Sequence, residues 1–475
     1  MTLTKKMFIN GEWREGKTSY ELKSPYSGEV VAKLPFSTKE DVLEAIEGAK
    51  SAQKKMKALT SLERSTILEK VANLFEENFE ECALILTKEN AKPLKAARGE
   101  ILRTIETYKF AAEEAKKLTG ETIPMDAAKG GKGKFGFTKR EPLGVIGAIT
   151  PFNFPFNLVA HKLGPAFAAG NTVVLKPASQ TPLSALKTAE FFEQAGLPIG
   201  ALHVVIGKGG DIGDVLVTHP DVKLITFTGS LEVGLDIKAK AGLKKSTLEL
   251  GSNSAVIIDN TDDIESVARR CVDGAFAFAG QVCISVQRIF VKNELFKELT
   301  EAMLETVKGL KTGDPAEEST DISALIQEKE AVRAEEWIKE AQNKGAEVLC
   351  GGKRTGSILE PTIIANVPSS ASISCNEAFA PIVMINTYDD YDEAIRNVND
   401  SQYGLQAGVY TTSIEKAFQA VDQIEVGGVI INEVPAFRVD QMPYGGVKNS
   451  GTGREGIKYA TEEMTELKLA VFNLV

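Results

Sequence analysis

From about residue 143 to 260 the chain repeats one rhythm: strand, loop, helix. Leu143 to Thr150 is an apolar run ended by Pro151, and Asn157 to Ala169 has helical periodicity and stops at Gly170. Thr172 to Leu175 is a β-branched run closed by Lys176-Pro177. Leu183 to Ala195 reads as a helix ended by Gly196, and Leu202 to Ile206 and Lys223 to Phe227 read as further strands. Strands alternating with helices of this length predict parallel pairing and a doubly wound sheet. Ligands of such sheets sit at the carboxyl ends of the strands.

The rhythm resumes after residue 250, with strands at Ala255–Ile258 and Arg288–Val291 and helices at Asp263–Ala279 and Leu295–Leu310. At 475 residues the chain is too long for one simple core. The expected fold class is therefore α/β, with two doubly wound α/β domains plus a small β-hairpin. The stretch 118–142 carries the turn-like Lys129-Gly130-Gly131-Lys132-Gly133 and predicts a two-stranded excursion. The expected division is 1–247 with that excursion, 248–440, and a return segment 441–475. The alternating tail Thr465 to Leu474 reads as an exposed strand, which predicts a homo-oligomer interface.

A net charge of −10 leaves no basic excess to neutralise phosphates, which argues against a nucleic-acid partner. No apolar run approaches the roughly 20 residues needed to span a bilayer. Met1 to Asn10 lacks the apolar core of a signal peptide, so the expected location is cytoplasmic. The five cysteines are widely spaced with no CxxC pair, and the histidines, His161, His203 and His219, are scattered. Neither a disulfide framework nor a metal site is expected. Cys82, Cys271, Cys350 and Cys375 read as inert thiols.

Phe278-Ala279-Gly280-Gln281-Val282-Cys283 places a thiol just after a Gly-Gln turn, ahead of the strand Arg288–Val291. There the Cys283 backbone N–H is free to meet negative charge on an intermediate's oxygen. Asn153, between two prolines in Thr150-Pro151-Phe152-Asn153-Phe154-Pro155, either satisfies its turn, the commoner use of Asn, or donates to an oxyanion. Leu248-Glu249-Leu250-Gly251 puts one carboxylate inside an apolar strand. Burial raises such a group toward the range of a general base, and a structural ion pair is equally compatible. Phe227-Thr228-Gly229-Ser230 opens a helix whose N–H groups suit a diphosphate. Gly207-Lys208-Gly209-Gly210-Asp211-Ile212-Gly213 lacks the third glycine of the GxGxxG fingerprint, and a plain turn is the favoured reading.

Taken in order, Asn153, Lys176, Gly229-Ser230, Glu249, Gly280-Gln281-x-Cys283, Glu377-x-Phe379-x-Pro381 and Tyr444-Gly445-Gly446-x-Lys448-x-Ser450-Gly451 resemble the motif set of the aldehyde dehydrogenase superfamily, over nearly the whole chain. The resemblance implies a dinucleotide-binding domain, a catalytic domain and an oligomerisation hairpin, in dimers or tetramers. It implies Cys283 as nucleophile, Asn153 with the Cys283 N–H as oxyanion hole, and Glu249 as general base. Lys176 matches the ligand of the adenosine ribose, Gly229 and Ser230 the diphosphate site, and Glu377 the ligand of the nicotinamide ribose, with Phe379 packed nearby. Thr150, Pro151, Phe152, Ser179, Gly209, Gly213, Phe227, Val233, Leu250 and Gly251 complete the expected cofactor-binding set.

One departure is visible: Ser252 follows Glu249-Leu250-Gly251 where the family usually has glycine. The position that in the family commonly carries an acid favouring NAD is Ser179, which repels nothing, so NADP or NAD is expected, with NADP accepted. A working site should favour the Cys283 thiolate. The resemblance also places Leu158, His161, Val282, Ile284 and Arg438 about the aldehyde. His161 and Arg438 there imply a short polar or anionic substrate, and the loop Phe437 to Pro443 is similar to lactaldehyde- and glycolaldehyde-type members. Arg438 paired with Asp440 on the surface is the other reading of that loop. The alternatives to hydrolytic oxidation are a coenzyme A-acylating enzyme, an aromatic or aliphatic specificity, and a non-catalytic binding protein. Glu249 favours hydrolysis over acylation.

Overall fold

The computed structural model describes residues 3–474. An eight-stranded sheet runs in the order Gly451–Thr452, Lys245–Glu249, Val222–Thr228, Val145–Ile149, Thr172–Lys176, Leu202–Val204, Met7–Ile9, Glu12–Arg14. Its five inner strands are parallel. Antiparallel strands finish both edges. The chain winds outward from Val145–Ile149 to one side and returns through Val222–Thr228 to the other. The switch point lies between those two neighbours, and the loops after Ile149 and after Thr228 leave adjacent strand ends, where doubly wound sheets bind ligands.

Helices cover this sheet. Asn157–Ala168 is buried along its entire length. It is held beneath Leu94–Lys117, which packs in turn on Ser61–Glu77. Reciprocal capping boxes at Thr38/Asp41 and Thr60/Glu63 start two of the N-terminal helices, each cap contributing about 1 kcal/mol.

The second sheet has seven strands, ordered Glu347–Cys350, Thr362–Ala365, Ile382–Tyr388, Arg288–Lys292, Ala255–Ile258, Gln406–Tyr410, Gly428–Ile431. Only its first pair is antiparallel. The chain is α/β with two wound sheets, as the strand–helix alternation predicts. A third, antiparallel sheet joins Thr465–Asn473 to Lys134–Pro142 and then Thr122–Ile123. The tail strand therefore pairs first within its own chain. Leu467, Leu469, Val471 and Phe472 on it remain exposed.

Two expectations need correction. The helix read as Asp263–Ala279 ends at Phe276. Phe278 and Ala279 take left-handed backbone conformations (φ +48° and +53°), which no α-helix accommodates. Glu249 is the last residue of its strand, not an interior one. Its register partner Gly451 belongs to the returning C-terminal segment. Among the described residues no helix is long and apolar enough to cross a membrane.

Candidate active site

The left-handed pair Phe278-Ala279 swings the chain out of its helix and delivers Gly280 to a tight place. Gly280 has φ +71°, and a β-carbon there would stand 2.2 Å from the Ala380 carbonyl oxygen. The turn is tied down by Gln281, whose N–H donates to the Phe278 carbonyl at 3.2 Å. The Gln281 Oε1 accepts the Ile326 N–H at 2.9 Å. Cys283 follows, half-buried, and among the described residues no acceptor takes its backbone N–H. Its side is lined by Ile284, Leu405, Tyr444 and Val282.

Asn153 comes to the same point from the first sheet. Its Nδ2 donates to the Gln281 carbonyl at 3.0 Å, leaving the amide's second hydrogen, and its Oδ1 accepts the Phe154 N–H at 3.1 Å. The turn reading of Asn153 is thus half right: the oxygen serves the turn while the NH₂ group faces the cysteine loop. Both Asn153 and Cys283 line a cleft of about 1330 Å³ between the loops of the two sheets.

Most of the residues expected to bind a cofactor wall that cleft. Thr150, Pro151, Phe152, Lys176 and Ser179 come from one side of the switch point, and Phe227, Gly229, Ser230 and Val233 from the other. Gly209 and Gly213 reach it from a single wide helical turn. Gly251, Glu377 and Phe379 close it. Leu250 is the exception. Its side chain is buried against Gly234 and does not line the cleft.

The chemistry of these walls fits a dinucleotide. Lys176 is buried with no carboxylate partner, and burial brings its ammonium down to about 8. The Thr150 hydroxyl is buried and unpartnered. Ser230 precedes the helix Leu231–Ala241 without capping it, so the first-turn N–H groups are open to an anion. Glu377, raised to about 7 by burial, accepts the Ser252 N–H at 3.0 Å. Phe379, itself left-handed at φ +46°, meets Phe152 edge-on at 5.8 Å. Ser252 turns its hydroxyl to Ser254 at 3.1 Å, so the added side chain is accommodated away from the cleft. Ser179 spends its one proton on the Gly207 carbonyl at 3.0 Å.

Glu249 lies behind the cysteine. Both carboxylate oxygens are buried without a partner. A β-carbon at Gly445 would come within 2.9 Å of its Oε1, so the Tyr444-Gly445-Gly446 motif packs directly on the carboxylate. Burial first, and the charge of Glu455 second, hold Glu249 well above the usual carboxylate range. The ion-pair reading of Glu249 fails, because the nearby cations are engaged elsewhere. Lys162 donates to Glu455 at 3.3 Å and to Thr226 and Thr228 at 3.1 and 2.8 Å.

The thiol departs from expectation. Burial, reinforced by the carboxylates of Glu377, Glu249 and Glu455, pushes Cys283 up to about 12. Among the described residues no cation pairs with it, and the charge of Arg438 is too small an opposing influence, so the protein alone favours the thiol over the thiolate.

The five expected substrate residues divide. Val282 and Ile284 flank Cys283. Leu158 and His161 share a helical face three residues apart. The Arg438 side chain is 8% exposed, not laid out on the surface, and it does not pair with Asp440. Its ion-pair partner is Glu455 at 3.0 Å, and its guanidinium lies 3.7 Å over the Tyr444 ring. Asp440 instead binds Arg103 at 2.7 Å and the Nε2 of His161 at 2.8 Å. Burial first, and then the charge of Arg438, lower His161, which is neutral near pH 7. Its Nε2 stands between the Asp440 carboxylate at 2.8 Å and the Arg438 Nη2 at 3.2 Å; with the proton on Nε2, facing the nearer carboxylate, Nδ1 is an acceptor. That Nδ1 and the Arg438 Nε are both buried and unpartnered.

Sequence reasoning missed Lys162, Glu455 and Arg103, and it gave Asp440 only as a surface partner of Arg438. A lysine within a largely apolar helical run was the available signal for Lys162. The other three become neighbours only through tertiary folding.

Residues 13–470 match the model of the aldehyde dehydrogenase family. The chain belongs to this family. It is 47% identical over 468 residues, 98% of each chain, to a 3-sulfolactaldehyde dehydrogenase of Priestia aryabhattai. It is 42% identical over 471 residues to a lactaldehyde dehydrogenase of Methanococcus aeolicus, covering 98% of this chain and 100% of that one. The NADP-dependent glyceraldehyde-3-phosphate dehydrogenase of Bacillus halodurans, solved with NADP, superposes with a TM-score of 0.97 at 39% identity over 100% of both chains. Membership makes the protein an aldehyde dehydrogenase, an oxidoreductase acting on an aldehyde.

Proposed function

We propose that this aldehyde dehydrogenase oxidises a short polar or anionic aldehyde to its acid, with NADP or NAD, and releases the product by hydrolysis. The observation that carries the substrate class is the pair of unpartnered buried groups beside the cysteine cluster, the Arg438 Nε donor and the His161 Nδ1 acceptor. A fork held flat on Tyr444 suits an anionic head group, and the imidazole acceptor suits a substrate hydroxyl. The names of the sulfolactaldehyde and lactaldehyde relatives support the same class.

Lys176 and the uncapped helix start after Ser230 would hold the ribose and diphosphate, and Glu377 the second ribose. Bound there, the oxidised nicotinamide supplies the hydride acceptor. With its thiol proton released to solvent, Cys283 Sγ bonds to the aldehyde carbon, and the carbonyl oxygen becomes an oxyanion held by Asn153 Nδ2 and the Cys283 N–H. Each such donor is worth about 10²–10³ in turnover. Loss of hydride from that carbon leaves a thioester on Cys283. Glu249, acting in its ionised form, takes a proton from water, the hydroxide adds to the thioester, and the acid leaves as Glu249 returns that proton to Cys283 Sγ. Because the protein alone keeps Cys283 protonated, its activation belongs to the complex with cofactor. The exposed tail strand is read as the face of a homo-oligomer, dimer or tetramer.

Two measurements test the scheme. Glu249→Gln should give a burst of reduced cofactor and then turnover slowed by about 10²–10⁴. Full steady-state activity would remove Glu249 from it. A kinetic screen of glycolaldehyde, lactaldehyde, their sulfo and phospho analogues, and long alkyl and aromatic aldehydes tests the substrate class. Each is run with both cofactors, with and without coenzyme A. Preference for the alkyl or aromatic compounds, or a requirement for coenzyme A, contradicts the reading.

A further inference from the structure

A lysine outside the catalytic steps touches the supports of both oxyanion donors. Lys92 and Glu100 form an ion pair with side chains 1% and 0% exposed. The ammonium also donates to the Asn153 carbonyl at 2.6 Å. It stands 3.9 Å from the Phe154 ring centre and 4.5 Å from that of Phe278. Phe278 is the left-handed residue that begins the turn into Cys283, and its carbonyl receives the Gln281 N–H. One cation thus bridges the Asn153 loop and the Cys283 loop.

The surrounding bonds serve the same two loops. Asn90 Nδ2 holds the Phe152 carbonyl at 3.0 Å, while its Oδ1 accepts the Lys92 N–H at 3.2 Å. Ala91 between them is left-handed, at φ +56°. Glu100 Oε1 receives the N–H groups of Phe156 and Asn157 at 2.9 and 3.2 Å, fixing the start of the helix that follows Asn153. Burying an ion pair is poor value as a source of stability, since desolvation offsets the attraction. Fixing the peptide on either side of Asn153 aims its carboxamide, and a misplacement of about 1 Å in such a group costs about 10²-fold in rate.

We propose that Lys92 is a positioning residue for the oxyanion hole, locking the Asn153 peptide and the Phe278 ring together so that Asn153 Nδ2 and the Cys283 N–H converge on one oxygen. This rests on the reading of Asn153 as an oxyanion donor.

The test is the paired variant Lys92→Met/Glu100→Gln, which leaves no lone buried charge and retains a carbonyl oxygen for Phe156 and Asn157. Stopped-flow measures the burst of reduced cofactor, fluorescence titration the dinucleotide Kd, and both are repeated with Asn153→Ala added. The expected result is a burst rate slowed by roughly 10- to 100-fold, a Kd changed less than threefold, and less than a threefold further fall in the Asn153→Ala background. A burst slowed by less than tenfold overturns the proposal. So does a larger change in Kd, or a larger fall on top of Asn153→Ala, either of which marks a general structural loss. Asn153→Ala alone at the parental rate removes the oxyanion reading itself and the proposal with it. Should the Met pair not fold, Lys92→Gln/Glu100→Gln is measured against the same limits.

Discussion

Glu249 and Glu455 lie in one buried cluster, and their surroundings push the two carboxyls in opposite directions. Burial alone would raise both. Lys162 and Arg438 hold Glu455 down at about 2. Glu249 has no such partner and keeps its proton well above the usual range, with Glu455 as a second cause after burial. On the proposed mechanism two carboxylates pushed apart in this way divide the work: one is fixed charge, the other moves a proton.

Glu455→Gln should therefore make Glu249 the stronger acid. Removing a like charge lowers the cost of ionising Glu249, and it frees Lys162 and Arg438 to favour the carboxylate. The acid limb of thioester hydrolysis should move to lower pH by about one unit. Single-turnover hydrolysis followed across pH 5 to 9 measures it. An unmoved limb, or one shifted upward, would show that the two acids are not coupled.

Cys283 should react slowly until the cofactor site is filled. At about 12, its thiolate fraction near pH 7 is roughly 10⁻⁵. Alkylation by iodoacetamide should then rise about tenfold per pH unit from 7 to 10. Oxidised dinucleotide, whose ring is cationic, should accelerate it at least tenfold at pH 7. Peptide-level mass spectrometry separates this signal from Cys375, which is exposed. Fast alkylation at neutral pH without dinucleotide would mean that the thiol is already activated. Cys283→Ala should abolish turnover while leaving dinucleotide binding.

The sheets, the cysteine turn and most of the cleft wall were legible because they depend on local signals. Apolar runs punctuated by Gly and Pro mark the strands, and Gly280-Gln281 marks the turn. What was not legible has one physical cause. The charged partners are distant in sequence and meet only through folding: Arg438 with Glu455 and Tyr444, Asp440 with Arg103 and His161. The loop Phe437 to Pro443 put Arg438 beside Asp440 in sequence, yet packing on Tyr444 turned the guanidinium to Glu455. The direction of the Leu250 side chain was not legible, because strand-end residues alternate in direction and it faces Gly234 rather than the cleft. The thiol's environment was missed for the same reason, since three carboxylates surround it from separate segments.

Ser179→Glu should shift cofactor choice toward NAD. The present hydroxyl is engaged with Gly207 and offers no repulsion to a 2′-phosphate, while Lys176 is left without an acid partner. Like charges about 5 Å apart at an effective dielectric of about 20 repel by about 3 kcal/mol. NADP affinity should fall more than tenfold and NAD affinity less than threefold, read by fluorescence titration. A parent enzyme binding NAD at least a hundredfold more tightly than NADP would contradict the premise.

Arg438→Met should separate anionic from neutral aldehydes. The guanidinium is buried, already neutralised in part by Glu455, and keeps its Nε free. A hydrogen bond from it to a charged group is worth about 1.5–3 kcal/mol, or roughly 10- to 150-fold in affinity. Methionine fills much of the same volume over Tyr444, and Glu455 retains Lys162 at 3.3 Å, so no carboxylate is left unpaired. The KM for a sulfo- or phospho-substituted aldehyde should therefore rise by about 10- to 100-fold. Propanal, which offers the fork nothing, should show kcat/KM changed less than threefold. Equal losses on the two substrates would assign Arg438 to holding Glu455 and Tyr444 in place rather than to recognising the aldehyde.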